Sequence, residues 1–286
     1  MRRTIYRGAG FVLGAAVLAT VAGFGWVWHG SEAHLRSFAR PAPFTRAIPS
    51  DAAALARGRH LVETRGCRGC HGDDLQGQLM WGYALAPNLA QLSRAVSAAE
   101  FEAALRHGIG HDGRALYSMP AFSFIHLRDA DVAEIIAYLR TVPVTPRELP
   151  SPSLPWTIRV DLARGADQAI PGFLPKVPAL VHAADAETPL ARGEYIAKTT
   201  CIECHGFSLR ADSPFDDETA PDLVIVAGYD AAAFAHLMRT GKALGERELP
   251  MMSGVARGRF VHFTDAEVHD LYAFLSDMAG NAAAAR

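Results

Sequence analysis

The sequence contains two copies of one pentapeptide: Cys67-Arg-Gly-Cys70-His71 and Cys201-Ile-Glu-Cys204-His205. These two motifs use all four cysteines of the 286-residue chain. Cys-x-x-Cys-His is the attachment pattern of a c-type haem, in which both thiols bond covalently to the haem and the histidine binds the iron. The two intervening residues make a single turn, which places both sulfur atoms along one edge of the macrocycle and the imidazole beneath it. The sequence therefore predicts two covalently bound haem c groups and iron redox chemistry.

Two other interpretations of the cysteines are weaker. Two Cys-x-x-Cys pairs can form a tetrahedral zinc site, but 130 residues separate these pairs and a histidine follows each at once. A redox-active dithiol is expected within a thioredoxin-like βαβ pattern, and neither motif has one around it. With all four cysteines bound to haem, no disulfide is expected.

The N-terminus carries a candidate membrane segment. Residues 1–8 hold three arginines and no acidic residue, and residues 9–28 form an uncharged run of 20 residues, long enough to span a bilayer as a helix. Trp26 and Trp28 close the run as interfacial anchors, and the arginines on the short flank predict that the rest of the chain is exported. A signal peptide cleaved after the small residues 20–22 is the alternative. Because the apolar run continues past them, an uncleaved anchor is the favoured interpretation.

The two halves of the chain repeat each other at an offset of 133 to 136 residues. Ala56-Arg57-Gly58 recurs as Ala191-Arg192-Gly193, and two homologous domains of about a hundred residues follow from such matches. The predicted organisation is an anchor or signal peptide (1–29), a linker (30–50), domain I (51–143), a proline-rich linker (144–186), domain II (187–279) and a tail (280–286). The prolines of the second linker predict little regular structure, and its apolar residues predict that it packs on a domain.

The local patterns predict an all-α fold with long loops. Spaced apolar residues in 52–65 and 188–200 indicate helices that lead into the two haem motifs. Ser97-x-x-Glu100 and Thr264-x-x-Glu267 are capping boxes that open further helices. No segment alternates like a strand for long.

Each half resembles a class I cytochrome c domain. In domain I the resemblance includes the haem motif, Pro87-Asn88-Leu89, Met119-Pro120 and a last helix over 129–140; domain II matches less tightly. Together the halves resemble the membrane-anchored cytochrome c subunits of bacterial periplasmic dehydrogenases, such as those for alcohols, aldehydes and gluconate. The resemblance implies that the first and last helices of each domain cross closely at a glycine, Gly58 facing Tyr138 and Gly193 facing Phe274.

The same resemblance implies how each haem is held. The paired cysteines of each motif bind the haem, and His71 and His205 are the proximal iron ligands. The carbonyl groups of Pro87 and Pro221 are expected to accept the second ring N–H of these histidines, which fixes the tautomer.

A methionine shortly before the last helix supplies the sixth iron ligand in this fold. In domain I that residue is Met119. In domain II Met251 and Met252 compete; Met252 is the preferred ligand and His262 a remote third choice. The segment between Met252 and the last helix is a few residues longer than in domain I and contains Arg257 and Arg259.

The predicted function is electron transfer, without bond-making chemistry by the chain itself. The resemblance implies a dihaem cytochrome c at the bacterial inner membrane, with its haem domains in the periplasm. It would take electrons from a dehydrogenase or quinol-oxidising complex and pass them to a terminal oxidase or soluble cytochrome. The alternatives are a dihaem peroxidase, which needs one haem without methionine, a thiosulfate-oxidising enzyme, which needs a spare cysteine, and a subunit of a haem-copper oxidase.

The charge distribution argues against nucleic acid as a partner. The chain has a formal net charge of −2. Residues 187–278 carry 15 acidic and 8 basic side chains, thus −7, whereas residues 51–146 carry 10 and 9, thus −1. The cluster Asp212, Asp216, Asp217 and Glu218 would allow domain II to dock a basic electron acceptor, although a solvated loop is the commoner meaning of such a cluster.

Overall fold

A computed structural model describes residues 2–213 and 220–284 of the chain. Helix α1 (Arg2–Leu35) precedes two helical domains, which confirms the predicted all-α class. The strands of the described residues are confined to two short hairpins. Of the predicted acidic cluster, Asp216, Asp217 and Glu218 lie outside the described residues.

Domain I is built from five helices and one hairpin. They are α2 (Ala52–Thr64), α3 (Cys67–His71), β1 (Gln78–Met80), β2 (Ala84–Ala86), α4 (Leu89–Ala95), α5 (Ala98–His107) and α6 (Asp129–Leu139). The side chain of Asp51 caps α2 by accepting the N–H of Ala54 at 2.9 Å. The predicted capping box of Ser97 and Glu100 opens α5, which ends at Gly108 in the left-handed conformation with φ 65°.

The two segments predicted as linkers are ordered against domain I. Helix α1 continues to Leu35, six residues past the predicted anchor, because Leu35 is buried with Ile109 and Ala115 and its carbonyl accepts the Ala115 N–H at 2.7 Å. Within the proline-rich linker, α7 (Trp156–Arg164) corrects the prediction of little regular structure. Prolines flank that stretch at positions 155 and 171 rather than interrupting it, and α7 gains further support by packing along α1.

One part of α1, Phe11–Leu35, is long and apolar enough to cross a membrane, and it is the only such segment among the residues that the structure describes. Its large apolar side chains in the first half are each more than half exposed: Phe11, Val12, Leu13, Val17, Leu18, Val21 and Phe24. Such a surface suits contact with lipid better than contact with a protein core.

As far as the structure describes it, domain II also consists of five helices and one hairpin, but its hairpin follows the third helix rather than the second, a 3-10 turn (Leu223–Gly228) stands in the place of α4, and one further helix precedes the last. Its elements are α8 (Pro189–Lys198), α9 (Ile202–His205), α10 (Ala231–Thr240), β3 (Lys242–Ala243), β4 (Arg247–Glu248), α11 (Met252–Gly258) and α12 (Asp265–Ala284). The predicted capping box opens α12, since the Glu267 carboxylate accepts the Thr264 N–H at 2.7 Å and the Thr264 hydroxyl accepts the Glu267 N–H at 3.2 Å. The extra residues of the methionine segment form α11, where domain I has only a 3-10 turn, Ala121–Ser123.

The first and last helices of each domain cross where a glycine removes the side chain. A Cβ atom at Gly58 of α2 would overlap the Glu134 carbonyl of α6 and lie 3.0 Å from Tyr138 Cβ. A Cβ atom at Gly193 of α8 would likewise overlap the Asp270 carbonyl of α12. Both crossings match the close approach that the resemblance implied, and each lets the backbones pack in direct contact.

Each domain buries an aromatic side chain of the other domain in its core. Tyr195 of α8 is buried in the apolar core of domain I, and Phe122, which follows Met119 in domain I, is buried in the core of domain II. The Phe122 ring lies 5.3 Å from that of Phe207, edge to face. A bond of 2.8 Å between His60 Nε2 and the Glu267 carboxylate adds a polar contact between α2 and α12. The domains are therefore held together by buried contacts, besides the linker that joins them.

We predict that Gly58→Ala destabilises the protein by at least about 2 kcal/mol, because the added methyl group meets backbone that cannot rotate away. Gly280→Ala is the matched control, since Gly280 lies in α12 with nothing within 4 Å of an added Cβ. That change is expected to stabilise by about 0.5–1 kcal/mol through helix propensity. Thermal unfolding of both variants measures the difference, and equal melting temperatures would contradict the close crossing.

Candidate haem sites

The first attachment motif is a single helical turn joined to the end of α2. Helix α2 ends at Thr64, and Gly66 turns the chain in the left-handed conformation, φ 76°, so that α3 begins directly at Cys67. Cys67 and Cys70 take part in no disulfide. Desolvation raises the pKa of the Cys67 thiol to about 11 and also raises that of Cys70. Both sulfur atoms are therefore protonated thiols at neutral pH, free for thioether formation.

The second motif has the same form in α9. Cys201 and Cys204 take part in no disulfide, and desolvation raises the pKa of Cys201 to about 12. Within the described residues, no group of three or more His, Cys, Asp or Glu side chains is arranged to hold a metal ion by protein ligands alone. The two cysteine pairs thus do not combine into the tetrahedral site that the zinc interpretation requires.

Both motif histidines are buried and held by a proline carbonyl. His71 is 6% exposed and its Nδ1 lies 2.8 Å from the Pro87 oxygen; His205 is 9% exposed and its Nδ1 lies 2.8 Å from the Pro221 oxygen. Burial lowers the pKa of both rings, with the carbonyl bond opposing, so each imidazole is neutral and carries its proton on Nδ1. Nε2 of each ring makes no hydrogen bond to the described residues and keeps its lone pair. This is the form in which histidine binds a metal.

A side chain that the sequence analysis did not single out supports the Pro87 carbonyl. Gln76 accepts a hydrogen bond from the Asn88 amide at 2.7 Å and from the Thr145 N–H at 2.8 Å. Asn88 in turn caps α4 by accepting the Gln91 N–H at 2.8 Å. Because Asn88 directly follows Pro87, these bonds fix the backbone that faces His71. Gln76 lies in an irregular loop, where spacing along the sequence carries no signal for this contact.

The candidate sixth ligands lie in the expected segments. Met119 is half-buried against the apolar cluster of domain I. In domain II Met252 is partly buried against the domain core, whereas Met251 is 50% exposed. His262 lies on the surface, 3.9 Å from Glu63 of domain I. Of the three candidates in domain II, Met252 has the burial that a ligand beside a haem requires.

One arginine links the two attachment motifs across the domain boundary. The guanidinium of Arg259 contacts Gly66 closely, since a Cβ atom there would overlap it. Its Nη1 donates to the Thr200 carbonyl at 3.4 Å, and its Nη2 lies 3.6 Å from the Glu203 carboxylate. Gly66 and Thr200 directly precede the first cysteine of each motif, so the two motifs lie on either side of a single guanidinium. The sequence analysis noted Arg259 only as part of an insertion.

Buried polar atoms without partners flank the same boundary. Among the described residues, Arg65 Nε, Ser123 Oγ and Thr200 Oγ1 are buried and make no hydrogen bond. Arg65 lies two residues before Cys67, and Thr200 lies directly before Cys201. Such orphaned groups are rare in a complete structure and point to a missing polar partner. Together with cysteines outside any disulfide, neutral imidazoles whose Nε2 keeps its lone pair, and a half-buried methionine in each domain, they fit a haem in each domain.

Comparison with known proteins assigns both domains. Residues 53–139 match a family model described as cytochrome c oxidase, cbb3-type, subunit III, and residues 190–279 match one described as cytochrome c. The chain is 26% identical over 85% of its length to the fructose dehydrogenase cytochrome subunit of Gluconobacter japonicus, covering 55% of that protein.

Two further relatives have similar names. The cytochrome c subunit of the quinone alcohol dehydrogenase of Gluconacetobacter polyoxogenes is 22% identical over 80% of this chain and 57% of the relative. The cytochrome c subunit of gluconate 2-dehydrogenase from Pantoea cypripedii is 27% identical over 54% of this chain and 38% of the relative. The chain thus spans about half the length of the curated relatives it matches.

Proposed function

From the two cytochrome c domains of this chain, residues 53–139 and 190–279, we propose a membrane-anchored dihaem protein that transfers electrons for a dehydrogenase complex. Haem supplies one-electron iron chemistry when bound, and the protein sets its potential through ligands and burial. The chain itself acts as an electron carrier. The curated relatives are cytochrome c subunits of dehydrogenases, which supports this class of function.

We assign the haem-holding residues from the geometry of the two sites. In domain I, Cys67 and Cys70 would hold the haem through their sulfur atoms, and His71 and Met119 would bind the iron. In domain II the corresponding residues are Cys201, Cys204, His205 and Met252. The carbonyls of Pro87 and Pro221 orient the two imidazoles, at 2.8 Å each. With a histidine and a methionine as protein ligands in each domain, this assignment favours electron transfer over a peroxidase, which needs one haem without a methionine ligand.

The observation that carries the proposal is the position of Arg259 between the two motifs. It contacts the residues before Cys67 and before Cys201, so haem edges attached at these cysteines would meet at one boundary. Two redox groups in separate, mobile domains would exchange electrons only when the domains collide. Here Tyr195 and Phe122, each buried in the core of the other domain, hold the two domains together. An electron entering one domain could therefore pass directly to the other.

The proposed donor is a periplasmic dehydrogenase, and the proposed acceptor is a terminal oxidase or a soluble cytochrome. Helix α1 supplies the membrane attachment at the bacterial inner membrane, with both domains on the periplasmic side. The match of domain I to the cbb3-type subunit III model supports a second candidate, an electron-delivering subunit of a haem-copper oxidase. The relatives aligned over most of the chain favour the dehydrogenase.

The methionine assignment predicts opposite results for two adjacent residues. Met252→Leu should remove one of the two iron–methionine absorption bands in the near infrared, because leucine provides no thioether. Met251→Leu is the matched control and should leave both bands, since that side chain is half exposed. Absorption spectra of the oxidised proteins measure this. Loss of a band in Met251→Leu but not in Met252→Leu would reverse the assignment in domain II.

The position of the Arg259 guanidinium between the two motifs predicts that its removal changes the midpoint potentials of both haems. Arg259→Ala should lower both midpoint potentials, because a nearby positive charge disfavours the oxidised, more positive haem. An interaction of about 1 kcal/mol at each haem corresponds to roughly 40 mV for a one-electron couple. Arg257→Ala is the control, since Arg257 is half exposed and bonds to Glu248 instead. A redox titration that finds only one potential shifted would place Arg259 near one haem alone.

The partner is tested by purification from solubilised membranes through a tag at the C-terminus. We expect a dehydrogenase to copurify, and its substrate to reduce both haems of the complex. An untagged strain is the control for nonspecific capture. Copurification of a haem-copper oxidase without a dehydrogenase would favour the second candidate, and an isolated chain that no dehydrogenase reduces would contradict the proposed function.

A further inference from the structure

Helix α7 runs alongside α1 in the same direction. At its start, the Trp156 ring lies 4.6 Å from the Phe24 ring. One turn later, the Arg159 guanidinium stacks on Trp28, 4.0 Å from the ring centre. Near its end, Ala163 contacts Gly30, where an added Cβ atom would lie 3.0 Å from Ala163 Cβ. The contacts advance together along both helices, so the first turn of α7 is the end nearest the middle of the apolar segment.

The depth of Phe24 follows from the uncharged run of α1. Residues 8–31 contain no Asp, Glu, Lys or Arg, with Arg7 before them and Glu32 after them. A hydrocarbon core of about 30 Å takes about 20 helical residues. A span that starts at residue 8 therefore ends near residue 27. At about 1.5 Å per residue, Phe24 lies roughly 5 Å inside the boundary of the hydrocarbon core. Trp156 packs at that depth.

The segment around Trp156 has the composition for such a position. Residues 149–158 form a second uncharged run of ten residues, between Glu148 and Arg159. Trp156 is 39% exposed despite its contact with Phe24, and tryptophan prefers the boundary between headgroups and acyl chains. The basic side chain in the first turn of α7, Arg159, is buried. It donates hydrogen bonds to Ser31 at 2.9 Å and to the Glu32 carboxylate at 3.0 Å. The first turn of α7 therefore exposes no charge.

We propose that the first turn of α7, with Trp156 at its tip, is a second membrane contact of this protein and lies at the headgroup–acyl boundary of the outer leaflet. The inference rests on the proposed membrane attachment of α1. The ligand is the lipid surface itself. Two contacts, α1 and the α7 tip, would define the orientation of domain I on the membrane, because the Arg159–Glu32 ion pair joins the two helices to each other, and Leu35 and Leu162 are buried with Ile109 and Ala115 of that domain.

The test is photo-crosslinking of the full chain in lipid nanodiscs. The photoreactive residue p-benzoylphenylalanine replaces Trp156, which keeps an aromatic side chain at this position. Leu18, exposed in the middle of the apolar segment, is the positive control. Arg164, exposed at the far end of α7 and about 12 Å further along the helix, is the matched negative control. Mass spectrometry measures lipid adducts, and haem absorbance confirms that each variant is intact.

The proposal expects lipid adducts at positions 18 and 156 and several-fold fewer at position 164. Adducts at position 18 with only protein adducts at position 156 would overturn this inference and leave the anchoring by α1 intact. Equal lipid adducts at 156 and 164 would also overturn it, because α7 would then lie flat on the membrane. An absence of lipid adducts at position 18 would contradict the anchoring and, with it, the second contact.

Discussion

The direct crossing of backbones at Gly58 and Gly193 is the constraint on which the rest of the structure depends. Each crossing fixes the angle and depth of a first helix against the last helix, and each first helix ends at a haem motif. Ion pairs reinforce both crossings, since Arg57 bonds to Glu134 at 2.6 Å and Arg192 bonds to Asp270 at 2.5 Å. A side chain at the crossing would push the helices apart and move the cysteines that hold the haem. The glycine thus acts on the attachment motif from eight or nine residues away, roughly 2.2 to 2.5 helical turns.

The second level of organisation is the boundary between the domains. Tyr195 is clamped there, with its hydroxyl bonded to Asp131 and its ring facing the Arg128 guanidinium at 4.7 Å. Arg259 occupies the same boundary and contacts both motifs. Two repeated domains joined only by a flexible linker would need none of these contacts. Their presence supports a single unit in which the two redox centres have a fixed relation.

The sequence predicted features that depend on neighbours in the chain and missed those that depend on distant partners. The capping boxes at Ser97 and Thr264 are local signals and appear as expected, whereas the crossing glycines were implied by the resemblance and lie where it placed them. Gln76 and Arg259 act through residues far along the chain, so no spacing rule could assign them. The high proline content of residues 144–186 as a whole conceals helix α7, because the stretch that forms α7 contains no proline itself. The preference for Met252 over Met251 came from the resemblance, and the greater burial of Met252 supports it.

The exchange of Tyr195 and Phe122 has a consequence for the order of assembly. The core of domain I is incomplete until residue 195 arrives, more than fifty residues after its last helix has ended at Leu139. A chain that emerges from its N-terminus therefore presents the first Cys-x-x-Cys-His motif while domain I is still open. Covalent attachment of a haem needs access to both thiols, and Cys67 and Cys70 are each partly buried in the finished fold. The late arrival of one tyrosine leaves the core of domain I open over that interval.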